Sequence, residues 1–152
     1  GMGKLEGYTE HFLAAAMDAA LMAQNLMLGA ESAGLGAVFI GGIRNDPAQV
    51  AELLALPEQV TPVFGLCLGW PDAEPELKPR LPVEVVLHQD RYDESRCAAD
   101  VDAYDEQIEA YYQARSSQQK NSNWSEQTAA AVQKKTREHM LTFLQRQGFL
   151  KK

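Results

Sequence analysis

The sequence predicts an α+β or α/β fold in which helices flank a small sheet, and we take it to be α+β with a small mixed sheet. Three observations support this prediction: an Ala-rich apolar segment long enough for a helix, several apolar runs of strand length bounded by Gly or Pro, and two later segments with helical spacing of their apolar residues. The chain of 152 residues fits one domain spanning residues 1–152.

The longest predicted element is a helix at residues 8–33. Apolar side chains fall on nearly every face of this segment, and it contains no Pro. A helix that is apolar all round is normally buried, so either the rest of the domain wraps it or a second subunit covers it. We favour the second subunit, which makes this a buried central helix at the interface of a homodimer. Its uncharged stretch at 19–30 is shorter than the ~20 residues that cross a bilayer, so we expect no membrane partner.

The middle of the chain predicts three short strands, at 37–40, 61–68 and 83–88, from their apolar and β-branched residues. Between the first two, Asp46 is a good helix N-cap and Pro47 suits the first helical position, so a short helix begins there. Three strands make a small sheet for a monomer, which again suggests structure shared between two chains.

Two helices are predicted in the last third of the chain, at 99–115 and 125–147, joined by a polar loop at 116–123. Residues 120–152 carry seven Lys or Arg against two Asp or Glu, whereas the whole chain has a formal net charge of −7. The basic segment indicates an anionic partner such as a phosphate, although a solvated helix face rich in Lys gives the same pattern. The overall acidity argues against nucleic acid as a partner.

Side chains that bind metals or act as nucleophiles are too scattered to form a site. Cys67 and Cys97 belong to no C-x-x-C pair, which argues against a disulfide framework and against a zinc site. The three histidines, His11, His88 and His139, form no motif. Any redox chemistry would therefore come from a cofactor. The cysteine usage suits a reducing cytoplasm.

Two features are typical of cofactor or anion binding. Gly41 and Gly42 follow the first predicted strand, where backbone amides can approach a flat or phosphorylated ligand; a tight turn that needs positive φ gives the same pattern. Lys78 and Arg80 alternate with prolines in "LKPRLP", so an extended chain points both cations to one side, as a phosphate clamp requires. Pairing with the acidic residues just upstream is the equal alternative.

Another pair of cations, Arg115 and Lys120, flanks the polar loop. A loop that carries two cations suits an anionic cosubstrate that binds and then leaves. Such loops are more often simply solvated, and the pattern alone does not decide between the two.

Three long stretches of the sequence resemble one known family. They are "DAALMAQNLMLGAESAGLGAVFIGGIRN", "VTPVFGLCLGWPDAEPELKPRLP" and "YDEQIEAYYQAR…NW". In this order they look like the oxygen-insensitive nitroreductase and NADPH-flavin oxidoreductase family, whose members are FMN enzymes of the nitroreductase fold. The similarity runs from about residue 15 to residue 148.

The resemblance implies nine residues that contact cofactors. Those implied for FMN are Phe39, Ile40, Gly41, Gly42, Arg44, Lys78 and Arg80. Those implied for NADPH are Arg115 and Lys120, the second standing where relatives often have Arg. The residues at the strand end would lie against the isoalloxazine ring, and the "KPR" cations would hold the FMN phosphate.

The resemblance implies an FMN-dependent NAD(P)H oxidoreductase that passes a hydride through flavin to nitroaromatics, quinones or free flavin. It also implies a homodimer formed through the 8–33 helix. Family members begin with a long segment bearing a phosphate motif of the H-R-S-x-R type. This chain does not contain that motif and resembles the C-terminal part of a nitroreductase, with the N-terminal part of the family fold missing. The alternative is therefore a shortened, non-catalytic dimeric module that does not bind FMN by itself.

Overall fold

The computed structural model describes residues 6–115 and 119–152 of the chain. These residues form two compact units. Unit 1 comprises the described residues of Gly1–Glu74 together with Thr136–Lys152, and unit 2 comprises the described residues of Pro75–Lys135. The single domain expected from the sequence stays a prediction, because the division into units does not decide whether either part folds alone. The first residues of the predicted polar loop, 116–118, lie outside the described residues.

Eight helices and strands, apart from two short 3₁₀ turns, follow one another along the described chain. They are α1 (Thr9–Ser32), β1 (Gly36–Ile40), α2 (Pro47–Leu53), β2 (Gly65–Gly69), α3 (Val83–Val86), α4 (Cys97–Ala114), α5 (Trp124–Gln133) and α6 (Met140–Arg146). The 3₁₀ turns are Gly42–Asn45 and Glu94–Arg96. The predicted helices at 8–33 and 99–115 are thus confirmed to within two residues at each end.

The sheet of unit 1 is a pair of antiparallel strands. β1 pairs with β2 so that Gly36 lies opposite Gly69 and Ile40 lies opposite Gly65. The predicted mixed sheet of three strands is therefore wrong for the residues described. The strand expected at 61–68 begins only at Gly65, because Pro62 near its start has no N–H to donate to a ladder.

The predicted third strand at 83–88 is also wrong, since its first residues form the single turn of α3. The N–H of Val85 donates to the carbonyl of Pro82 at 3.1 Å, and the N–H of Leu87 donates to that of Val83 at 2.8 Å. Valine favours strands only where a neighbouring strand offers a pleated surface to pack on. Here the chain leaves Pro82 with the fixed φ of proline and turns directly into a helix.

The predicted helix at 125–147 is wrong in its middle, where α5 ends and α6 has not yet begun. Lys134 is extended, with ψ of 124°, and Arg137 has a positive φ of 51°. Both values are incompatible with a continuous helix. No Gly or Pro marks this break in the sequence, and the side chains after it bind a loop of unit 1 instead, as described below.

Two clusters of buried side chains form the cores of the two units. In unit 1, α2 and α6 pack together around four buried residues: Ala51, Phe143, Leu144 and Phe149. In unit 2, the buried residues lie one helical turn apart on α4: Tyr104, Ile108 and Tyr112. Trp124 at the start of α5 packs against this second cluster, so α4 and α5 cover one core.

The central helix is not buried by its own chain. Among the described residues of α1, only Ala23 is buried. The alternative in which the rest of the domain wraps this helix is therefore wrong for the described residues, and burial at the interface of a homodimer stays a prediction. By length and composition α1 is also long and apolar enough to cross a membrane, a character that it shares with core helices of soluble proteins and with signal sequences.

Candidate functional site

The paired glycines at the end of β1 are not there to permit positive φ. Gly41 has φ of −81° and ψ of −14°, and the 3₁₀ turn Gly42–Asn45 follows it directly. The alternative in which these glycines serve only a turn with positive φ is therefore wrong. Because glycine has no side chain, the two residues differ from others at this point in the space that they leave beside the backbone.

That space differs between the two glycines. A Cβ on Gly41 would stand 3.1 Å from the Nη2 atom of Arg44, so a guanidinium already occupies this side of the backbone. Among the described residues, a Cβ on Gly42 would meet only the Cγ2 atom of Ile40, at 4.0 Å. Gly42 is exposed and Gly41 is half-buried. An open face suited to a flat ligand therefore lies at Gly42.

Arg44 ties the glycine loop to the segment before β2. Its Nη1 atom donates to the carbonyl oxygen of Val63, and its guanidinium lies against Gly41. The side chain is half-buried. This geometry gives Arg44 a role in fixing the loop; its predicted contact with FMN remains a prediction.

Two residues that sequence reasoning did not assign to the site also hold this loop. Arg137 donates from Nη2 to the carbonyl of Gly41 at 3.2 Å and from Nε to the Oδ1 atom of Asn45 at 3.1 Å. The Nε2 atom of His139 lies 3.1 Å from the carbonyl oxygen of Arg44. The local sequence around Arg137 does not indicate this role, because the role depends on residues more than ninety positions away.

The aromatic and aliphatic residues expected at the flavin ring lie at the end of β1. Phe39 is exposed and packs edge-on against Phe64, with ring centroids 5.2 Å apart. Ile40 is half-buried. Phe39 and Ile40 at the end of β1 thus lead directly to Gly42 with its open side. Arg44 and Arg137 hold the backbone of this segment in place.

In unit 2, the "KPR" segment is fastened to α4 by two tyrosines. The Nζ atom of Lys78 donates to the hydroxyl of Tyr112 at 3.0 Å, and the hydroxyl of Tyr104 donates to the carbonyl of Pro79 at 3.0 Å. Both tyrosines belong to the buried face of α4. One bond orients the side chain of Lys78, and the other fixes the backbone next to it.

Tyr112 also gathers a second cation. The Nζ atom of Lys120 lies 5.6 Å from the centroid of the Tyr112 ring, and that of Lys78 lies 5.3 Å from it. The hydrogen bond from Lys78 holds the pKa of the Tyr112 phenol below its ordinary value, against the opposing effect of burial. The charges of Lys78 and Lys120 act in the same direction as the hydrogen bond.

The other two predicted cations of unit 2 lie nearby in the sequence but have different surroundings. Arg115 is half-buried, with its guanidinium carbon 5.8 Å from the centroid of the Tyr111 ring. Arg80 is exposed. Within the described residues of unit 2, no ion pair joins Lys78, Arg80 or Lys120 to a carboxylate. Of the upstream acidic residues, Glu76 belongs to this unit, so its pairing with Lys78 or Arg80 is not seen; Asp72 and Glu74 belong to unit 1. Within unit 2, these cations are available to an anion.

Comparison with known proteins identifies the family. Residues 6–70 match the family model described as "Nitroreductase family", and residues 78–152 match the one described as "Nitroreductase family, C-terminal domain". The chain belongs to the nitroreductase family. The resemblance found in its motif strings is therefore confirmed.

Three relatives illustrate the similarity. An NADPH-flavin oxidoreductase of Vibrio harveyi is 48% identical over 145 residues, which are 95% of this chain and 60% of the relative. An oxygen-insensitive NADPH nitroreductase of Salmonella typhimurium is 46% identical over 146 residues, which are 94% of this chain and 59% of that relative. The solved structure of NADPH:FMN oxidoreductase from Vibrio harveyi, complexed with NAD+, matches with a TM-score of 0.85 at 42% identity and covers 98% of this chain and 61% of that one.

Both the identities and the TM-score place this chain within the nitroreductase fold, with helices flanking a small antiparallel sheet. The chain spans about 60% of the length of the curated relatives that it matches. The nine nitroreductase residues expected at cofactors fall into two sets. Unit 1 carries those at the end of β1, and unit 2 carries the four cations Lys78, Arg80, Arg115 and Lys120.

Proposed function

We propose that this protein is an FMN-dependent NAD(P)H oxidoreductase that reduces nitroaromatics, quinones or free flavin. The observation that carries the proposal is the cationic cluster of unit 2, in which Lys78 and Lys120 both lie against Tyr112 and have no carboxylate partner in the described part of that unit. A phosphate monoester is the anion that such a cluster suits best, because an ammonium group offers several donors to its oxygens.

The residues present fit FMN in two respects. The open face beside Gly42, where a side chain would meet only Ile40, leaves room for the edge of a flat ring. The cations Lys78 and Arg80 of unit 2 suit a phosphate group such as the one that FMN carries. The residues proposed for the ring belong to unit 1 and those proposed for the phosphate belong to unit 2. Substitutions in each unit therefore test the two assignments independently.

Bound FMN would supply the hydride chemistry, which no side chain of this sequence can supply. The task of the protein is to bind and orient. Backbone groups at Gly41 and Gly42 stay fixed because Arg44 and Arg137 hold them, and rigid polar groups of this kind need no reorganisation during a reaction. The lysines of unit 2 neutralise charge on the ligand.

We propose NADPH as the reductant and Arg115 with Lys120 as residues that contact it. The names of the relatives support this, since each of the three mentions NADPH. Lys120 carries a charge but lacks the planar guanidinium of an arginine. We therefore expect the protein to prefer NADPH over NADH only modestly. The acceptor is a small molecule, with no nucleic acid or membrane as partner, and the protein is cytoplasmic.

We also propose a homodimer formed through α1. The support is the exposure of a series of large apolar side chains along this helix: Leu13, Met17, Leu21, Met22, Leu26 and Leu28. Large apolar patches on a folded surface mark sites of association. A second copy of the chain, with the same helix, is the partner whose surface has the matching character.

The experiment that tests the function is the visible absorption spectrum of the purified protein, recorded before and after addition of FMN and removal of unbound flavin. We expect a bound flavin spectrum that bleaches when NADPH is added without oxygen. The matched variants are Lys78→Met with Arg80→Met, which should release FMN, and Arg91→Met, an exposed arginine of unit 2 outside the site, which should not.

A colourless protein that never retains FMN would overturn the proposal and favour the non-catalytic dimeric module. Retention of FMN without bleaching by NADPH would keep the cofactor assignment and overturn the reductant. Equal FMN affinity in the wild-type protein and in the double variant would show that the phosphate is held elsewhere.

A further inference from the structure

The side chain of Tyr112 lies at the centre of a chain of hydrogen bonds that ends at Lys78. Its hydroxyl accepts from the Nζ atom of Lys78 at 3.0 Å and donates to the Oε1 atom of Gln127 at 3.4 Å. The Nε2 atom of Gln127 donates to the carbonyl of Asn123 at 2.9 Å. Asn123 is itself fixed, because it caps α5 in a capping box with Glu126.

This chain of bonds has a definite direction. The amide nitrogen of Gln127 faces the carbonyl of Asn123, so its oxygen faces the phenol and can only accept. The proton of Tyr112 therefore points to Gln127, and the lone pairs of the phenol oxygen are left for Lys78. A lysine ammonium has three N–H donors, and the phenol uses one of them. In the part of unit 2 that the structure describes, the other two have no hydrogen-bond acceptor and can bind an anion.

Because Lys78 is already held in this way, anion binding loses less side-chain entropy than it would with a free lysine. A free lysine side chain loses rotamer freedom when it is fixed on a ligand. In the folded protein the phenol has already ordered it, while the ring of Tyr112 keeps Lys120 within 5.6 Å of its centroid. Tyr112 is buried, with 4% of its surface exposed, so its own position is fixed by the core of unit 2.

We propose that Tyr112 is a positioning residue that holds Lys78 ready for a phosphate monoester. The inference rests on the proposed function, which gives the phosphate two sources: FMN, or the phosphate that distinguishes NADPH from NADH. Tyr112 itself need not touch either ligand, since it acts through the lysine.

The test compares ligands that differ only by that phosphate. Binding of FMN and of riboflavin is measured for the wild-type protein and for Tyr112→Phe, which removes the hydroxyl and keeps the ring. We expect FMN affinity to fall about five- to tenfold and riboflavin affinity to stay unchanged. Steady-state KM values for NADPH and NADH provide the second arm. A selective rise for NADPH would assign the phosphate to the nicotinamide cofactor and would also support the role of Tyr112.

Two controls separate positioning from a general effect on the fold. In the Lys78→Met background, Tyr112→Phe should cause no further loss of FMN affinity, because the lysine through which it acts is absent. Tyr92→Phe removes the hydroxyl of an exposed tyrosine of the same unit and should change neither arm. If Tyr112→Phe folds poorly, Gln127→Leu carries the test, since it removes the acceptor that orients the phenol.

The inference is overturned if Tyr112→Phe binds FMN and uses NADPH as the wild-type protein does, or if it weakens the binding of FMN and of riboflavin by the same factor. Failure of the proposed function looks different, because the wild-type protein would then bind neither flavin. An effect of Tyr112→Phe that persists undiminished in the Lys78→Met background would also contradict the inference, since it would show that the tyrosine acts on its own.

Discussion

Arg137 donates a hydrogen bond from its guanidinium to the carbonyl oxygen of Gly41, at 3.2 Å, although the two residues are 96 positions apart. A second bond from the same side chain reaches Asn45. The glycine loop of unit 1 is therefore held by a residue from the last stretch of the chain. That stretch breaks the helical pattern at Arg137, where φ is 51°.

Removing this arginine is expected to destabilise unit 1. Arg137→Ala loses two charge-assisted hydrogen bonds, and the free energy of unfolding should fall by about 1–3 kcal/mol. Denaturant unfolding measures it. Arg137→Gly should be the less harmful variant by about 1 kcal/mol, because glycine adopts a positive φ without strain. Arg146→Ala, an exposed arginine at the end of α6, serves as the control and should change stability little. Equal stability of Arg137→Ala and wild type would show that the two bonds contribute nothing.

The contrast between Arg137 and Asp46 shows which features a sequence can reveal. Asp46 was expected to cap α2 from its neighbours alone, and its side chain does accept from the N–H of Gln49 at 3.0 Å. The α1 helix follows in the same way from local composition. Arg137 lies in a segment whose residues favour helix, and its bonds to the distant Gly41 and Asn45 cannot be read from its neighbours in the sequence.

The part of the candidate site that was predictable is the one in which a short continuous segment carries the charged residues. Lys78 and Arg80 were expected to present cations from an extended segment, and Lys78 does hold its charge at a fixed place. Tyr112, which fixes Lys78, falls within the predicted helix at 99–115, and the helical pattern by itself gives it no role at the site. The third strand predicted at 83–88 was wrong for a similar reason, because the sequence around it does not show whether a neighbouring strand is present. Valine favours a strand only where such a neighbour exists.

The two glycines of the loop should respond differently to the same substitution. Gly42→Ala meets only Ile40 at 4.0 Å, so we expect a change of less than about 0.5 kcal/mol in unfolding free energy. Its new methyl group would enter the space proposed for the flavin ring, and FMN affinity should fall. Gly41→Ala places its methyl group 3.1 Å from Arg44 and should lower stability as that guanidinium is displaced from Val63.

Unfolding curves and FMN titrations of both variants test this pair. If Gly42→Ala bound FMN as tightly as the wild-type protein, the flavin ring would not lie against this side of the loop. If Gly41→Ala were as stable as wild type, Arg44 could rearrange at no cost, and its contact with Gly41 would not matter to the fold.

The phenol of Tyr112 is expected to titrate at a lower pH than an ordinary tyrosine. Its pKa is held below 10.0 chiefly by the hydrogen bond from Lys78. Lys78→Met should therefore raise the pKa of Tyr112 toward that value. The difference between the ultraviolet phenolate titrations of the wild-type protein and Tyr112→Phe isolates this group, and the same difference is measured in the Lys78→Met background. An unchanged pKa would mean that the hydrogen bond is absent in solution.

This lowered pKa also fixes the direction of a stability effect. Because the folded pKa lies below the unfolded one, ionisation of Tyr112 favours the folded state. The contribution is fully present above the unfolded pKa of about 10 and is lost as the pH falls through the folded pKa. At neutral pH it is absent. The pH dependence of unfolding, compared between the wild-type protein and Tyr112→Phe, should differ only at alkaline pH.

The exposed side chains of α1 predict how the protein should respond to a charge on this helix. Leu21 is 67% exposed in the single chain, so Leu21→Arg should leave the fold and its helix content intact. At the interface of the proposed dimer the same substitution buries an unpaired charge, and the protein should become monomeric. Sedimentation velocity of wild type and variant measures this. Leu53→Arg, on an 81% exposed residue of α2, is the control and should stay dimeric. A wild-type protein that sediments as a monomer would rule out the dimer, and a dimer that survives Leu21→Arg would place its interface on another surface.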